Sequence, residues 1–159
     1  MLILGLETSC DETAAAVVAD GTTVRSSVVS SQVDLHARYG GVVPEEASRA
    51  HVDLIVGVTR DALAEAGVTL ADLDAVAACH GPGLAGALLV GVSAAKALAL
   101  AAGVPYVGVN HLEAHCGAGW LECDLATPLA VALVSGGHTL FVAVPARGEH
   151  RVLGSTVDD

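Results

Sequence analysis

Hydrophobic and polar positions divide the first part of the chain into short strands and one long helix. Apolar or alternating runs at residues 2–6, 14–19 and 24–30 are separated by polar turns, which predicts three strands in a β-meander. Pro44 and two glutamates after it are typical of a helix N-terminus. Apolar residues then recur at mostly helical spacing until Gly67, where we expect that helix to end.

The rest of the chain shows both strand-like and helix-like patterns of apolar residues. Strands are predicted at residues 74–79 and 104–109, with an apolar helix at 84–102 between them that ends at Gly103. A strand, a helix and a strand in this order predict a parallel pair with a right-handed crossover. The remaining segments are a helix at 111–121 and strands at 129–134, 139–144 and 151–155. The pattern as a whole indicates an α/β fold.

Composition and charge restrict the core and the partners. Hydrophobic residues make up 53% of the 159 residues and aromatic residues only 3%, so we expect a core of small aliphatic side chains. The formal charge of −11 opposes direct binding to a polyanion, because phosphate contacts need clustered cations. If nucleic acid is a substrate, partner proteins must supply much of the positive surface.

Cysteine usage and the N-terminus indicate the compartment. The four cysteines have no C-x-x-C spacing, and the N-terminus has neither a basic region nor a cleavage pattern. We expect reduced thiols in the cytoplasm. The apolar stretch 83–109 is long enough to raise the question of a membrane span, but Lys96 lies near its middle and Ala and Gly dominate it. A buried helix of a soluble protein is the better interpretation.

Two glycine-rich turns are candidate anion sites. Residues 81–86, GPGLAG, satisfy G-x-G-x-x-G, but Val109 and Asn110 stand where a dinucleotide-binding fold has an acidic residue. A tight strand-to-helix turn is the simpler interpretation. Gly136 and Gly137 form the expected two-residue turn of a hairpin, and their backbone N–H groups could also approach a phosphate or an acyl group.

Acidic and histidine residues supply the candidate chemistry. Glu7, Asp11 and Glu12 surround the first turn, either as a solvated loop or as groups that orient a metal-bound phosphate or act as a general base. His111 and His115 are four residues apart, which places both imidazoles on one helix face, as chelation of a metal needs. The glutamate between them is not adjacent to the first histidine, unlike that of the H-E-x-x-H metalloproteases.

Several segments together resemble one known family. They are LGLETSCDETAAAVV, SSQVDLHARYGGVVPEEASRAHV, GPGLAGALLVGVSAAKALA, NHLEAH, LVSGGHTLFV and the closing STVDD. In this order and spacing they are similar to motifs of the universal tRNA threonylcarbamoyladenosine transferase family, and the likeness covers nearly the whole chain. Cys79, where the family usually has Thr, and Glu46, where it usually has an apolar residue, are local departures.

The resemblance implies an actin-like ATPase fold of the ribonuclease H type, with nucleotide between two lobes. Residues 1–126 would form the first lobe, and residues 127–159 would be the opening strands of an incomplete second lobe. The implied reaction is transfer of a threonylcarbamoyl group from threonylcarbamoyl-AMP to N6 of adenosine 37 in tRNAs that read codons beginning with A. An ATP-like nucleotide is a further ligand that this fold implies.

The resemblance also implies roles for individual residues. One divalent metal, iron or zinc, would act as a Lewis acid in the acyl transfer. The matching positions are Asp11 and Glu12 for acidic residues near the reaction centre, His111 and His115 for the metal ligands, and Leu133, Val134, Ser135, Gly136 and Gly137 for the substrate-binding loop.

The length of the chain affects what it can do alone. Family members are about twice as long as a domain of this size, and the third metal ligand of the family, an aspartate, belongs to the missing half. We therefore expect the isolated chain to bind metal through two protein ligands and to be inactive. TsaB-like and TsaE-like proteins are the implied partners; tRNA would bind through the complex, and no membrane is expected. The alternatives are a non-catalytic TsaB-like partner or dimerisation module and, less favoured, a metalloprotease.

Overall fold

The computed structural model describes residues 1–157, without the side chains of Glu122 and Val157. By backbone contacts the chain forms two compact units, Met1–His111 and Leu112–Asp159. The predicted lobe boundary after residue 126 stays a prediction. The elements are β1 Leu2–Glu7, β2 Glu12–Ala19, β3 Thr23–Ser31, α1 Val33–Ala37, α2 Pro44–Ala66, a 3₁₀ turn Leu70–Asp72, β4 Ala75–Gly81, α3 Ala85–Ala102, β5 Tyr106–Asn110, α4 His111–Glu122, β6 Leu129–Val134, β7 His138–Val144 and β8 Arg151–Val157.

The first unit contains a mixed sheet of five strands in the order β3-β2-β1-β4-β5. Strand β1 pairs antiparallel with β2 and parallel with β4, and β4 pairs parallel with β5. The predicted meander and the predicted parallel crossover are both confirmed. Because β1, β4 and β5 run in the same direction, their carboxyl ends lie at one edge of the sheet, where α/β proteins commonly bind ligands.

Small aliphatic side chains form the core of this unit, as the composition predicts. Leu4, Val17 and Val76 are fully buried in the sheet. Helix α2 packs on β2 and β3, α3 packs on β4, and the two helices contact each other. Gly67 and Gly103 end these helices in the left-handed conformation, φ 69° and 71°, which glycine adopts without steric cost.

Helix α3 is mostly apolar but is buried on one face only. By length and composition it could cross a membrane, and 22% of its residues are buried. Its buried residues are all small: Ala87, Gly91, Ala95 and Ala99. The opposite face is exposed; Leu100, for example, is 85% exposed. The predicted buried helix is therefore correct for the sheet side, and the outer side leaves an apolar surface.

The second unit contains a three-stranded antiparallel sheet in the order β6-β7-β8. The amide of Ser135 donates to the carbonyl of His138 (2.9 Å), which closes the predicted two-residue turn at Gly136-Gly137. A small cluster beneath the sheet includes Trp120, whose indole N–H donates to the carbonyl of Leu125 at 2.9 Å. The sequence analysis missed two short elements of the first unit, α1 and the 3₁₀ turn.

Candidate functional site

Three strand ends of the first unit bring a carboxylate, a thiol and an imidazole together. Glu7 is the last residue of β1, Cys79 lies near the end of β4, and His111 follows β5 directly. One ligand atom from each side chain lies within 4.8 Å of the other two. This convergence follows from the parallel arrangement of the three strands.

Glu7 accepts hydrogen bonds from several donors. One carboxylate oxygen accepts the backbone N–H of Ser9, and the other lies 3.1 Å from Nδ1 of His111. Burial raises the pKa of Glu7, but hydrogen bonds from His111, Cys79 and Ser9 outweigh this and lower it to about 2. Glu7 is therefore an ionised carboxylate at neutral pH.

Two side chains contact the same ring nitrogen of His111. Its Nδ1 lies 3.1 Å from Glu7 Oε2 and 3.1 Å from Ser9 Oγ. The hydrogen bond to Glu7 raises the pKa of His111, partial burial opposes this, and the charge of Glu7 adds to the increase. The imidazole therefore has a fixed orientation before any ligand binds.

The nearby thiols are not nucleophiles at neutral pH. Burial, followed by the hydrogen bond and charge of Glu7, raises the pKa of Cys79. Burial and the adjacent Asp11 raise the pKa of Cys10 to about 11. A thiol with a raised pKa stays protonated and inert. All four cysteines are free in this structure, two buried and two exposed.

The first turn packs tightly against the start of α3. The amide of Leu84 donates to the carbonyl of Ser9 (2.8 Å), and a Cβ on Gly83 would lie only 2.5 Å from that oxygen. Thr8 Oγ1 donates to the carbonyl of Ala87 at 2.8 Å, and a Cβ on Gly91 would lie 2.4 Å from that hydroxyl. These glycines therefore allow close packing of the turn, which agrees with the simpler interpretation of GPGLAG.

A buried histidine network supports the same turn from α2. His51 is fully buried; its Nε2 lies 3.1 Å from the carbonyl of Cys10 and its Nδ1 lies 2.8 Å from Thr13 Oγ1. Since a carbonyl can only accept, Nε2 carries the proton, and Nδ1 accepts from Thr13 and from Gln32 Nε2 (3.4 Å). Burial lowers the pKa of His51, so the ring is neutral.

The predicted catalytic carboxylates flank this supported turn. Asp11 is half-buried and its carbonyl accepts the amide of Gln32 (2.9 Å), whereas Glu12 is exposed at the start of β2. Of the three carboxylates, Glu7 makes the hydrogen-bond contacts to Ser9 and His111. By sequence it could not be distinguished from Asp11 and Glu12, since all three flank one polar turn.

The predicted metal pair lies on one helix. Helix α4 begins at His111 and includes His115 one turn later, as the sequence predicts. Two imidazoles at this spacing fit a divalent iron or zinc ion, and imidazole is a common ligand of both metals. Within residues 1–157, the three-residue ligand group includes His111, Glu7 and Cys79 but not His115. Metal binding by the pair stays a prediction.

The five positions of the predicted substrate-binding loop lie in the second unit. Leu133 is buried in its small core, Val134 is 76% exposed, and Ser135, Gly136 and Gly137 are exposed at the hairpin turn. Glu113 lies 3.9 Å from His150 Nδ1. Substrate binding by the loop stays a prediction.

Comparison with known proteins shows the family and the fold. The family model of tRNA N6-adenosine threonylcarbamoyltransferase (TsaD) matches residues 23–159. The enzyme of that name from Trichlorobacter lovleyi is 60% identical over all 159 residues, and that from Pelobacter propionicus is 57% identical. The chain covers 46% and 47% of these relatives, so it spans about half their length.

A solved structure shows the same fold. YeaZ from Pseudomonas aeruginosa superposes with a TM-score of 0.63 at 24% identity, over 99% of this chain and 67% of that one. Together with the strand order, this confirms the predicted actin-like, ribonuclease H-type α/β fold. The identity with the curated relatives and the match to the family model show that the chain belongs to the TsaD family of tRNA N6-adenosine threonylcarbamoyltransferases.

Proposed function

We propose that the chain is the N-terminal half of an enzyme that forms N6-threonylcarbamoyladenosine at position 37 of tRNAs reading codons that begin with A. The N6 amine attacks the carbamoyl carbon of threonylcarbamoyl-AMP, the bond from that carbon to the phosphate oxygen breaks, and AMP leaves. The observation that best supports this is the ordered cluster at the ends of β1, β4 and β5, where the helix with both predicted metal ligands begins. We expect the isolated chain to be inactive, since it spans about half the length of the relatives it matches.

Residues of two loops would have different roles in the reaction: the acidic turn would accept a proton, and the hairpin turn would bind the substrate. Asp11 or Glu12 would accept the proton that N6 loses during the attack, as a positioned carboxylate can. Backbone N–H groups at Gly136 and Gly137 would bind the phosphate or the acyl oxygen, because glycines let an anion approach the backbone closely. Ser135 would orient the same group through its hydroxyl.

His111 and His115 would hold the iron or zinc ion. When bound, this ion supplies Lewis-acid polarisation of the transferred carbonyl. The family resemblance implies a third ligand, an aspartate, in the part of the relatives that this chain does not match. Two ligands give weak binding, so we expect the chain to hold metal less tightly than a full-length relative.

TsaB-like and TsaE-like proteins are the proposed partners. An apolar groove of about 550 Å³ lies between α2 and α3, lined by residues such as Val56, Leu63 and Leu98. Val56 is 73% exposed, so this surface suits an apolar partner helix. With a charge of −11 the chain would meet tRNA through the complex, in the cytoplasm and without a membrane.

A variant pair tests the groove. Val56→Glu places a charge in the groove, whereas Val52→Glu changes a residue of α2 that is 60% exposed and does not line it. We expect Val56→Glu to abolish co-purification with a TsaB-like protein and Val52→Glu to preserve it. Equal effects of both variants would contradict the placement of the partner.

The activity is tested with purified components. The full-length enzyme of a close relative, with its partners, threonylcarbamoyl-AMP and tRNA, serves as the positive control. We expect no turnover from this chain, and loss of turnover when His111→Ala or His115→Ala is made at the matching positions of the full-length control. Turnover by the 159-residue chain alone would contradict the proposed inactivity, and unchanged turnover in both histidine variants would contradict the metal pair.

A further inference from the structure

Among the described residues, both carboxylate oxygens of Glu7 lie at hydrogen-bond distance from a nitrogen atom. The backbone N–H of Ser9 donates to one carboxylate oxygen, and the sulfur of Cys79 lies within 4.8 Å of the carboxylate. An ionised carboxylate can only accept hydrogen bonds. Nδ1 of His111, which lies 3.1 Å from Glu7 Oε2, must therefore carry a proton to make this contact.

The position of that proton determines the chemistry of the other ring nitrogen. A neutral imidazole has one N–H and one lone pair, so a proton on Nδ1 leaves the lone pair on Nε2. Metal-binding histidines usually donate their second N–H to a carboxylate or carbonyl, which fixes the tautomer and the ring orientation. In His111 this donor contact exists before any metal binds.

We propose that Glu7 is the positioning residue that holds His111 in the Nδ1–H tautomer and so leaves Nε2 as the metal-binding nitrogen of this ring. This inference rests on the proposed function, since it assigns a role within that metal site. Ser9 supports Glu7, because its backbone N–H holds one carboxylate oxygen while the other faces Nδ1 of His111. Glu7 touches neither substrate nor metal in this arrangement.

A competing arrangement uses the same three side chains directly. Glu7, Cys79 and His111 present oxygen, sulfur and nitrogen within 4.8 Å, so a zinc ion could bind among them through Nδ1. The observed contacts favour the positioning role, because Nδ1 already lies at hydrogen-bond distance from both Glu7 and Ser9. The competing arrangement would have to break both contacts and deprotonate a buried thiol.

Nitrogen NMR of the metal-free chain tests the tautomer without reference to activity. With ¹⁵N-labelled histidine, the signal that disappears in His111→Ala identifies this ring among the seven histidines. We expect neutral His111 to be the Nδ1–H tautomer in the wild type and to shift toward the Nε2–H tautomer in Glu7→Leu. Glu65→Leu, at an exposed position of α2, should leave the signal unchanged. An Nε2–H tautomer in the wild type would overturn the proposal.

Titration with Co²⁺ tests the consequence for the metal. We expect Glu7→Gln to weaken Co²⁺ binding by about 10–100-fold, as is typical for loss of an outer carboxylate partner, and Cys79→Ser to leave the absorption spectrum unchanged. A thiolate-to-cobalt charge-transfer band that Cys79→Ser removes would overturn the positioning role in favour of the three-ligand site. If the wild type binds no Co²⁺, the metal part of the proposed function fails, and the tautomer measurement still decides the role of Glu7.

Discussion

The two loops that the sequence predicts for one reaction differ in how far the chain itself holds them. Residues 7–12 contact β4, α2 and α3 through Cys79, His51 and Ala87. Residues 135–137 are exposed and are closed by the hydrogen bonds between Ser135 and His138. The acidic loop, with Glu7 and His111, is therefore held in place within the first unit, whereas the predicted substrate loop is an exposed hairpin turn of the second unit.

A pair of glycine substitutions should show the largest difference in stability between the two loops. Gly83→Ala would place a Cβ 2.5 Å from the carbonyl of Ser9, whereas Gly136→Ala meets nothing within 4 Å. Backbone atoms at the first site cannot move far, so we expect Gly83→Ala to lower the free energy of unfolding by about 1–3 kcal/mol. Gly136→Ala should lower it by less than about 0.5 kcal/mol. Urea denaturation of both variants measures this. Similar losses would show that the first loop is no more tightly packed than the second.

Removal of the buried histidine should have the next largest effect. His51→Leu leaves the carbonyl of Cys10 and the hydroxyl of Thr13 without their partner, which we expect to cost about 1–3 kcal/mol of the free energy of unfolding. His80→Leu at an exposed position is the control, and it should change the stability by less than about 0.5 kcal/mol. Equal urea midpoints for the two variants would contradict the supporting role of His51.

Acid should weaken the same network. Because burial lowers the pKa of His51 below its ordinary 6.5, the unfolded chain binds the proton more readily than the folded chain. The contribution of this group is therefore fully present above pH 6.5 and is lost as the pH falls from there toward the lowered folded value. We expect the denaturation midpoint of the wild type to fall over this range more than that of His51→Gln. Parallel pH profiles would refute the assignment.

The smallest effect on stability is expected at the second loop. Ser135→Ala removes an exposed hydroxyl that bonds to His138, and we expect a loss of about 0.5 kcal/mol. At the matching position of a full-length relative, the same change should raise KM for threonylcarbamoyl-AMP if the loop binds this substrate. Unchanged KM and kcat would remove Ser135 from the substrate loop.

Much of the fold could be predicted from residue patterns because the signals are local. Gly67 and Gly103 mark helix ends, and the Gly-Gly turn marks the hairpin. The two short elements were missed because three to five residues carry too little periodicity. The tertiary partners of Glu7 could not be predicted either, since Cys79 and His111 are 72 and more than 100 residues away along the chain. Only the parallel pairing of β1, β4 and β5 brings them together.

We propose that this chain by itself binds a metal ion through His111 and His115. Elemental analysis of the purified wild type, His111→Ala, His115→Ala and the control His138→Ala, each incubated with iron or zinc and then desalted, tests it most directly. We predict metal in the wild type and in His138→Ala, and loss of metal in both other variants. Equal metal content in all four proteins would contradict the claim that His111 and His115 are its ligands.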